Sequence, residues 1–405
     1  MTDTIAAARP AEPFADLKAR AAAAVEDARD EIIDLSHRIH ANPEPAFEER
    51  QAAAWVAEAV AAHGYVVEHP VGSLETAVRG RLTGGKGADG PRIGLLAEYD
   101  ALPGLGHGCG HNTMAASGVG AAIALAAVRD SWAGEVVFLG TPAEERGSGK
   151  AIMIREGLFE GLDAALLYHP CDRDHVEIAP LASEDVHVTF TGYAAHAASD
   201  AWRGRNALDA LIALFVSVGL WRQQLPTHCR VHGIIQEGGT AANIIPDRTR
   251  AWFMLRSADQ PYYEVMKRRF IAMCEAAASA SDVEVEIEFS GGATTMNHNH
   301  ALAERWVANA EAAGIADEGM DPASGSTDMA NVSWVVPTIH PELSIADEPT
   351  PGHTIQFRDA AARPRADRTT LLAATLVAQT AIDVLMDPAL VEAAWAEFKA
   401  TSGGD

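Results

Sequence analysis

The chain reads as an α/β protein: a mostly parallel sheet flanked by helices, with a smaller split-βαβ (ferredoxin-like) domain inserted into it. Three observations predict this. Up to about residue 181, apolar strand-like runs alternate with helix-length segments, the order that builds parallel sheets. From Ala182 to Met296 the order becomes strand, helix, strand, strand, helix, strand, the split βαβ arrangement. Helix-rich α/β sequence resumes at Ala301, so the second pattern interrupts the first. The expected organisation is one domain from 1–181 and 297–405, and an inserted domain from 182–296.

Residues 14–41 are the first expected helix. Leu17, Val25, Ile32, Leu35 and Ile39 lie near helical spacing and Pro43 stops the pattern. A second helix covers about 47–63 and ends at Gly64. YVVEHPV, TAVRGRL and RIGLLAEY follow as strands, and the glycine loop TGGKGADG lacks the full phosphate-loop pattern and reads as a turn. The stretch LLAEYDALPGLGHGCGHNTM (95–114) then concentrates Glu98, Asp100, His107, Cys109 and His111 where an apolar strand meets a Gly/Pro-rich turn. Asn112 is expected to cap the Ala-rich helix 113–129. The helix N-terminus and any nearby cation are expected to lower the pKa of Cys109. Next come strand EVVFLGT, the run Pro142-Ala143-Glu144-Glu145, a helix at about 149–158, and AALLYHP as one strand. In the insert, EDVHVTFTG, HCRVHGIIQEG, RTRAWFMLRS and DVEVEIEFS are the strands. NALDALIALFVSVGLWRQQL and PYYEVMKRRFIAMCEAAASA are the helices.

Composition narrows the function classes. Hydrophobic residues make up 48% and charged ones 21%, ordinary values for a globular enzyme. The balance of 56 acids against 31 bases, net −25, argues against nucleic acid or an anionic membrane as partner. No apolar run reads as long enough to span a membrane, and the N-terminus MTDTIAAARPAEPF reads as a loose tail without a signal peptide, so a cytoplasmic location is expected. Cysteines 109, 171, 229 and 274 have no framework spacing, which fits a reducing compartment.

The candidate site residues share positions at strand ends, where open α/β sheets bind ligands. Two carboxylates, a thiol and two imidazoles in the central stretch have the composition of a metal site, although a Gly-rich turn with solvated histidines has it too. Of Glu144 and Glu145, one can bind a metal while the other faces a bound water; the bland reading is an acidic pair capping the next helix. His169 closes an apolar strand as a ligand or a core histidine. His196 in GYAAHAAS, Gly238, Gly239 and Asn243 in EGGTAANIIPD, and His353 in TPGHTIQF complete the set.

AEYDALPG, GHGCGHN, TPAEE, LLYHP, GYAAHAA, GGTAANIIPD and PGHTIQF, in that order, resemble the dinuclear-metal aminoacylase and carboxypeptidase family (peptidase family M20). The similarity runs from about residue 30 to 385, within the branch of indoleacetyl-amino-acid hydrolases, aminobenzoyl-glutamate hydrolases and certain dipeptidases. It implies two divalent metal ions (zinc or manganese, with cobalt also suited) held by Cys109, His111, Glu145, His169 and His353. It implies Glu144 as general base on a metal-bound water and Asp100 as the carboxylate orienting an imidazole ligand. His196 would be catalytic at the oxyanion, with Asn243 and Gly239 binding substrate, commonly from the partner subunit of a homodimer formed through the insert. It assigns no role to Glu98.

Two departures put the substrate in question rather than the metal centre. His111-Asn112-Thr113-Met114 lacks an acid and a histidine that many relatives carry, and SGSTDMANVSWVVPTIHPEL resembles aminobenzoyl-glutamate hydrolases more than the plant-type enzymes. The expected activity is hydrolysis of the amide bond of an N-acyl or N-aroyl amino acid or a dipeptide-like small molecule. The alternatives are deamination of an aromatic amine at the same site, or binding without catalysis.

Overall fold

A computed structural model describes residues 14–320 and 325–402; the expected N-terminal tail lies outside them except for Phe14. The chain forms two compact units. The first takes in the chain up to Ile178, from Asn297 to 320 and from Val332 onward; the second takes in Ala179–Met296 and 325–331.

The first unit begins with α1 (Ala15–Asp27), α2 (Arg29–Ala41), α3 (Arg50–Ala62), β1 (Val66–Glu68), β2 (Val78–Thr83) and β3 (Arg92–Glu98). It continues with α4 (His111–Ala127), β4 (Glu135–Thr141), α5 (Gly149–Arg155), β5 (Ala164–Leu166) and β6 (His169–Cys171). The second unit holds β7 (Ala182–Thr191), α6 (Ala207–Trp221), β8 (Cys229–Glu237), β9 (Arg248–Ser257), α7 (Gln260–Ala280) and β10 (Glu284–Ala293). After these come α8 (His300–Ala312), α9 (Met329–Val332), β11 (Thr338–Ile339), β12 (Glu342–Ser344), α10 (Ile355–Ala360), α11 (Pro364–Met386) and α12 (Pro388–Ser402).

The main sheet runs β1-β2-β4-β3-β5-β11. The four strands β4, β3, β5 and β11 are parallel, and β1 and β2 add an antiparallel edge. β3 and β4 are buried along nearly their whole length, as expected for parallel strands covered on both faces. Helix α4 is buried almost throughout because it is built from small residues. A Cβ on Gly118 would stand 2.9 Å from the Ala97 Cβ, and one on Gly120 would stand 2.8 Å from the Ala374 Cβ. These glycines weaken the isolated helix by roughly 1 kcal/mol each relative to alanine, but they let α4 close on β3 and α11.

Several expectations are corrected. The helix expected over 14–41 is two helices separated at Ala28 (φ −93°, ψ 10°), and no Gly or Pro marks the break. AALLYHP is two strands: β5 lies in the main sheet, while β6 pairs with β12 in a separate two-stranded sheet. Pro170 has no N–H to donate, so this strand does not continue through the interior of a large sheet. Asn112 does not cap α4. Gly110, at φ 79°, takes that position, and the Asn112 amide donates to Ser36 Oγ and to the Ala361 carbonyl, both at 2.9 Å. The expectation that no apolar run is long enough for a membrane also fails on length and composition. Helix α11 contains an 18-residue window of mean hydropathy 1.5, but 78% of that window is buried inside the protein, as in a core helix.

In the second unit the sheet order is β10-β7-β9-β8, antiparallel throughout, so the strand–helix–strand–strand–helix–strand order does form one four-stranded sheet. Val186, Val188, Phe190, Leu211, Leu214, Phe253 and Phe270 are among its buried core residues. The unit also includes 325–331, which the sequence division gave to the first domain. Leu181 N–H donates to the Gly325 carbonyl at 3.1 Å and Ser326 Oγ donates to the Leu181 carbonyl at 3.2 Å, contacts between segments far apart in the chain.

A buried ion pair ties the helical layer of the first unit together. Lys18 Nζ on α1 lies 2.8 Å from Asp383 Oδ2 on α11 and donates to Asn309 Oδ1 on α8 at 2.7 Å, with the two charged side chains 4% and 2% exposed. Replacing Lys18 by Met strands the buried carboxylate, and denaturant unfolding should show a loss of about 3–5 kcal/mol.

Candidate metal centre

The site is assembled at the C-terminal ends of the parallel strands of the first unit. The end of β3 delivers Glu98, and Asp100 follows two residues on; the turn into α4 delivers Cys109 and His111. Glu144 and Glu145 follow β4, His169 opens β6, and His353 precedes α10. Four chain segments thereby bring the six proposed ligand and base residues to one place, and the end of β3 adds two further acids.

Two groups of ligand atoms share Cys109: one is Cys109, His111 and His169, the other Cys109, Glu145 and His353. Within each group the ligand atoms lie within 4.8 Å of one another. Cys109 Sγ is 3.5 Å from His169 Nε2, and His353 Nε2 is 3.4 Å from Glu145 Oε1. Asp100 organises both groups. Its Oδ1 is 3.0 Å from His111 Nδ1 and its Oδ2 accepts the Glu145 backbone N–H at 2.9 Å. A proton held on Nδ1 by Asp100 leaves the Nε2 lone pair for a metal.

The chemistry of the donor set fits a cation. Among the described residues, His111 Nε2 and Glu145 Oε1 are buried with charged neighbours but no hydrogen-bond partner, an arrangement that native interiors rarely leave unexplained. A third group, Glu98, His111 and Glu144, adjoins them: His111 Nε2 is 3.2 Å from Glu98 Oε2 and 3.9 Å from Glu144 Oε2.

The electrostatics follow from burial. Desolvation pushes the Cys109 thiol well above its ordinary range, and the Glu145 carboxylate adds to the effect. Burial and neighbouring acids outweigh the helix N-terminus expected to acidify the thiol; a nearby cation, the other part of that expectation, would favour the thiolate. Burial also disfavours charge on His111, but Cys109 and Asp100 outweigh it and raise its pKa well above the usual value. Burial lowers His169 to about 3, which keeps it a neutral imidazole fit for ligation. Burial alone would raise Glu98, but Lys150, His111, His340 and His169 together hold it at about 2.

Lys150 and His340 were not anticipated in these places. Lys150, buried at the start of α5, forms an ion pair with Glu98 Oε1. His340 Nδ1–H donates to the Leu167 carbonyl (3.1 Å), and its ring stands edge-on to His169, centroids 5.5 Å apart. The sequence did carry a signal for His340, since TIHP repeats the apolar–His–Pro pattern of LLYHP on a neighbouring strand. Nothing in GKAIMI marks Lys150 as buried.

His196, Gly239 and Asn243 all lie in the second unit. His196 bridges Ile244, and Ala197 N–H donates to the Asn243 carbonyl at 3.0 Å, so two loops distant in sequence lie side by side and exposed. His196 Nδ1 accepts N–H groups from Ala198 (3.2 Å) and Ser199 (3.3 Å), which places the ring proton on Nε2. Gly239, at φ 111°, turns the second loop; a Cβ there would meet Pro246 Cγ at 2.9 Å.

The profile of Peptidase family M20/M25/M40 matches residues 94–367. The Xaa-Arg dipeptidase of Mus musculus is 38% identical over 415 residues, covering 96% of each chain. A p-aminobenzoyl-glutamate hydrolase polypeptide of Escherichia coli K12 is 32% identical over 300 residues, covering 69% of this chain and 62% of that one. Among solved structures, a Bacillus subtilis dinuclear metal-binding peptidase of the M20 family superposes with a TM-score of 0.69 at 20% identity, covering 89% of this chain and 99% of that one.

If the two ligand groups each hold an ion, metal analysis after loading with Mn²⁺ or Zn²⁺ should give about two equivalents per chain. His353→Ala should lower this to about one, and loading should raise the melting temperature of the wild type.

Proposed function

We propose a division of labour for this chain, which belongs to peptidase family M20/M25/M40: Glu144 is the general base, and Cys109, His111, Glu145, His169 and His353 hold two divalent ions. The chain is a metal-dependent amidohydrolase acting on N-acyl amino acids or dipeptides. The observation that carries the proposed roles is the pair of ligand groups sharing Cys109 with Glu144 beside them. Zinc, manganese or cobalt suits the mixed sulfur, nitrogen and oxygen donors. Divalent ions bound there would polarise the scissile carbonyl and make water nucleophilic near neutral pH.

The chain's own groups do the rest. Glu144 takes the proton of the attacking water and returns it to the leaving nitrogen. The Nε2–H of His196 is a neutral donor for the oxyanion, and its tautomer is set by the two backbone amides on Nδ1. Asn243 and Gly239 contact the substrate. Dipeptides ending in arginine are the first substrates of choice, because the Xaa-Arg dipeptidase relative is similar over nearly the full length. Four free cysteines suit a reducing, cytoplasmic setting.

We further assign the second unit to homodimer formation, with His196 and Asn243 serving the partner's metal centre. Two features support a partner surface. Ile212, Val216 and Leu220 recur at four-residue spacing on α6 and are exposed, Leu220 by 71%. The edge strand β8, which among the described residues pairs with β9 alone, exposes Ile234 and Ile235. Such an edge is normally covered or paired, and two-fold pairing is the commonest solution.

Glu144→Gln should retain wild-type metal content while kcat falls by roughly 10²–10⁴-fold; a kcat near wild type would remove Glu144 from the role. Liberation of a free amino acid, read by mass spectrometry, separates amide hydrolysis from deamination. Mixing inactive His196→Ala with inactive Glu144→Gln subunits should restore activity if the two residues of one site come from different chains. No recovery after verified subunit exchange would mean that each site is built from one chain.

A further inference from the structure

The buried acid Glu49 lies outside the proposed ligand set, immediately before α3, and is 0% exposed. Its position is that of a helix N-cap, yet its side chain makes no capping bond to α3. Its acceptors are used elsewhere. Oε1 accepts the Ala143 backbone N–H at 2.8 Å, and Oε2 accepts the Thr76 hydroxyl at 2.9 Å. The Thr76 carbonyl in turn accepts the hydroxyl of Tyr99, the residue before Asp100.

The segment Glu49 grips is strained. Ala143 is fully buried at φ 60°, the left-handed region that alanine disfavours. On its other side, the Ala143 carbonyl accepts the Gly149 N–H at 3.3 Å. A Cβ on Gly149 would fall 1.9 Å from the Pro142 carbonyl oxygen, so only glycine permits this closure. Glu144 therefore sits between two peptide N–H groups that are each held by a buried carboxylate, Ala143 by Glu49 and Glu145 by Asp100.

We infer that Glu49 is a positioning residue for Glu144: it holds the Ala143 peptide in the left-handed turn that aims the Glu144 carboxylate at the ligand cluster. This rests on Glu144 being the general base. What matters is the reach of an oxygen acceptor to Ala143 N–H. Glu49→Gln keeps that oxygen while its amide donates to the Thr76 hydroxyl, which can accept by rotating its proton. Glu49→Asp keeps the charge but is one methylene shorter and withdraws the acceptor.

The test compares Glu49→Gln, Glu49→Asp, Glu49→Ala and Glu144→Gln in the full metal-loaded protein. It reads kcat, KM, metal content and hydrogen exchange at the Ala143 amide. Expected for Glu49→Asp is a loss of about 10²-fold in kcat, the scale of a misplacement of about 1 Å. KM and metal content should stay near wild type, and exchange at Ala143 should be faster. Glu49→Gln should stay within about tenfold of wild-type kcat, an ordering a charge requirement would reverse. Should Glu49→Ala fail to fold, Glu49→Asp carries the comparison. Wild-type kcat in Glu49→Asp, unchanged Ala143 exchange, or a Gln variant as impaired as the Asp variant would each overturn the inference. If Glu144→Gln is inactive while Glu49→Asp is fully active, only the positioning role fails; if Glu144→Gln keeps its kcat, the general-base reading fails first.

Discussion

The candidate metal centre depends on one buried carboxylate. Asp100, 1% exposed, binds the ring of His111 through one oxygen and the peptide of Glu145 through the other. It thereby couples the turn before α4 to the turn after β4, the two segments that supply one thiol, one imidazole and the adjacent glutamates. The parallel pairing of β3 with β4, in register from Arg92–Glu135 to Glu98–Thr141, brings those strand ends together. The Asp100 hydrogen bonds then set their angular relation. A surface carboxylate would lose such bonds to water; in the interior, leaving either oxygen unpaired is costly.

Charge balance explains the groups around it. Glu98 is paired with Lys150, and Glu145 with His353, so the acids of the cluster are partly neutralised from within the fold. Burial disfavours charge on His111, but Cys109 and Asp100 outweigh it and raise its pKa. His111 Nε2 and Glu145 Oε1, which among the described residues have charged neighbours but no hydrogen bond, mark the same balance in hydrogen-bond terms.

The second unit is organised by different physics. Its sheet carries its helices and their apolar side chains in one core, while the outer stripe of α6 and the edge of β8 retain exposed apolar residues. Burial of such a stripe is a non-directional driving force, whereas the loops holding His196 and Asn243 are fixed by directional backbone bonds. An exposed apolar stripe and a precise arrangement of polar groups thus occur in the same small unit.

Elements whose signals are local were legible in the amino-acid order. Periodicity marked the strands and helices of the insert, and motif order picked out Cys109, His111, Glu144, Glu145, His169 and His353, which the fold brings into one cluster. Partners that lie far along the chain emerge only once the chain has folded. Asn112 reads as a cap but bonds to Ser36 and Ala361. AALLYHP reads as one strand but divides between two sheets because its second half finds β12. Lys150 and Glu49 carry no local sign of burial in the sequence, and they are buried against Glu98 and Ala143. The physical reason is that hydrophobic spacing is written in neighbouring residues. The pairing of a buried charge or an unsatisfied amide is settled only when segments 52 to 249 residues apart close on one another and exclude water.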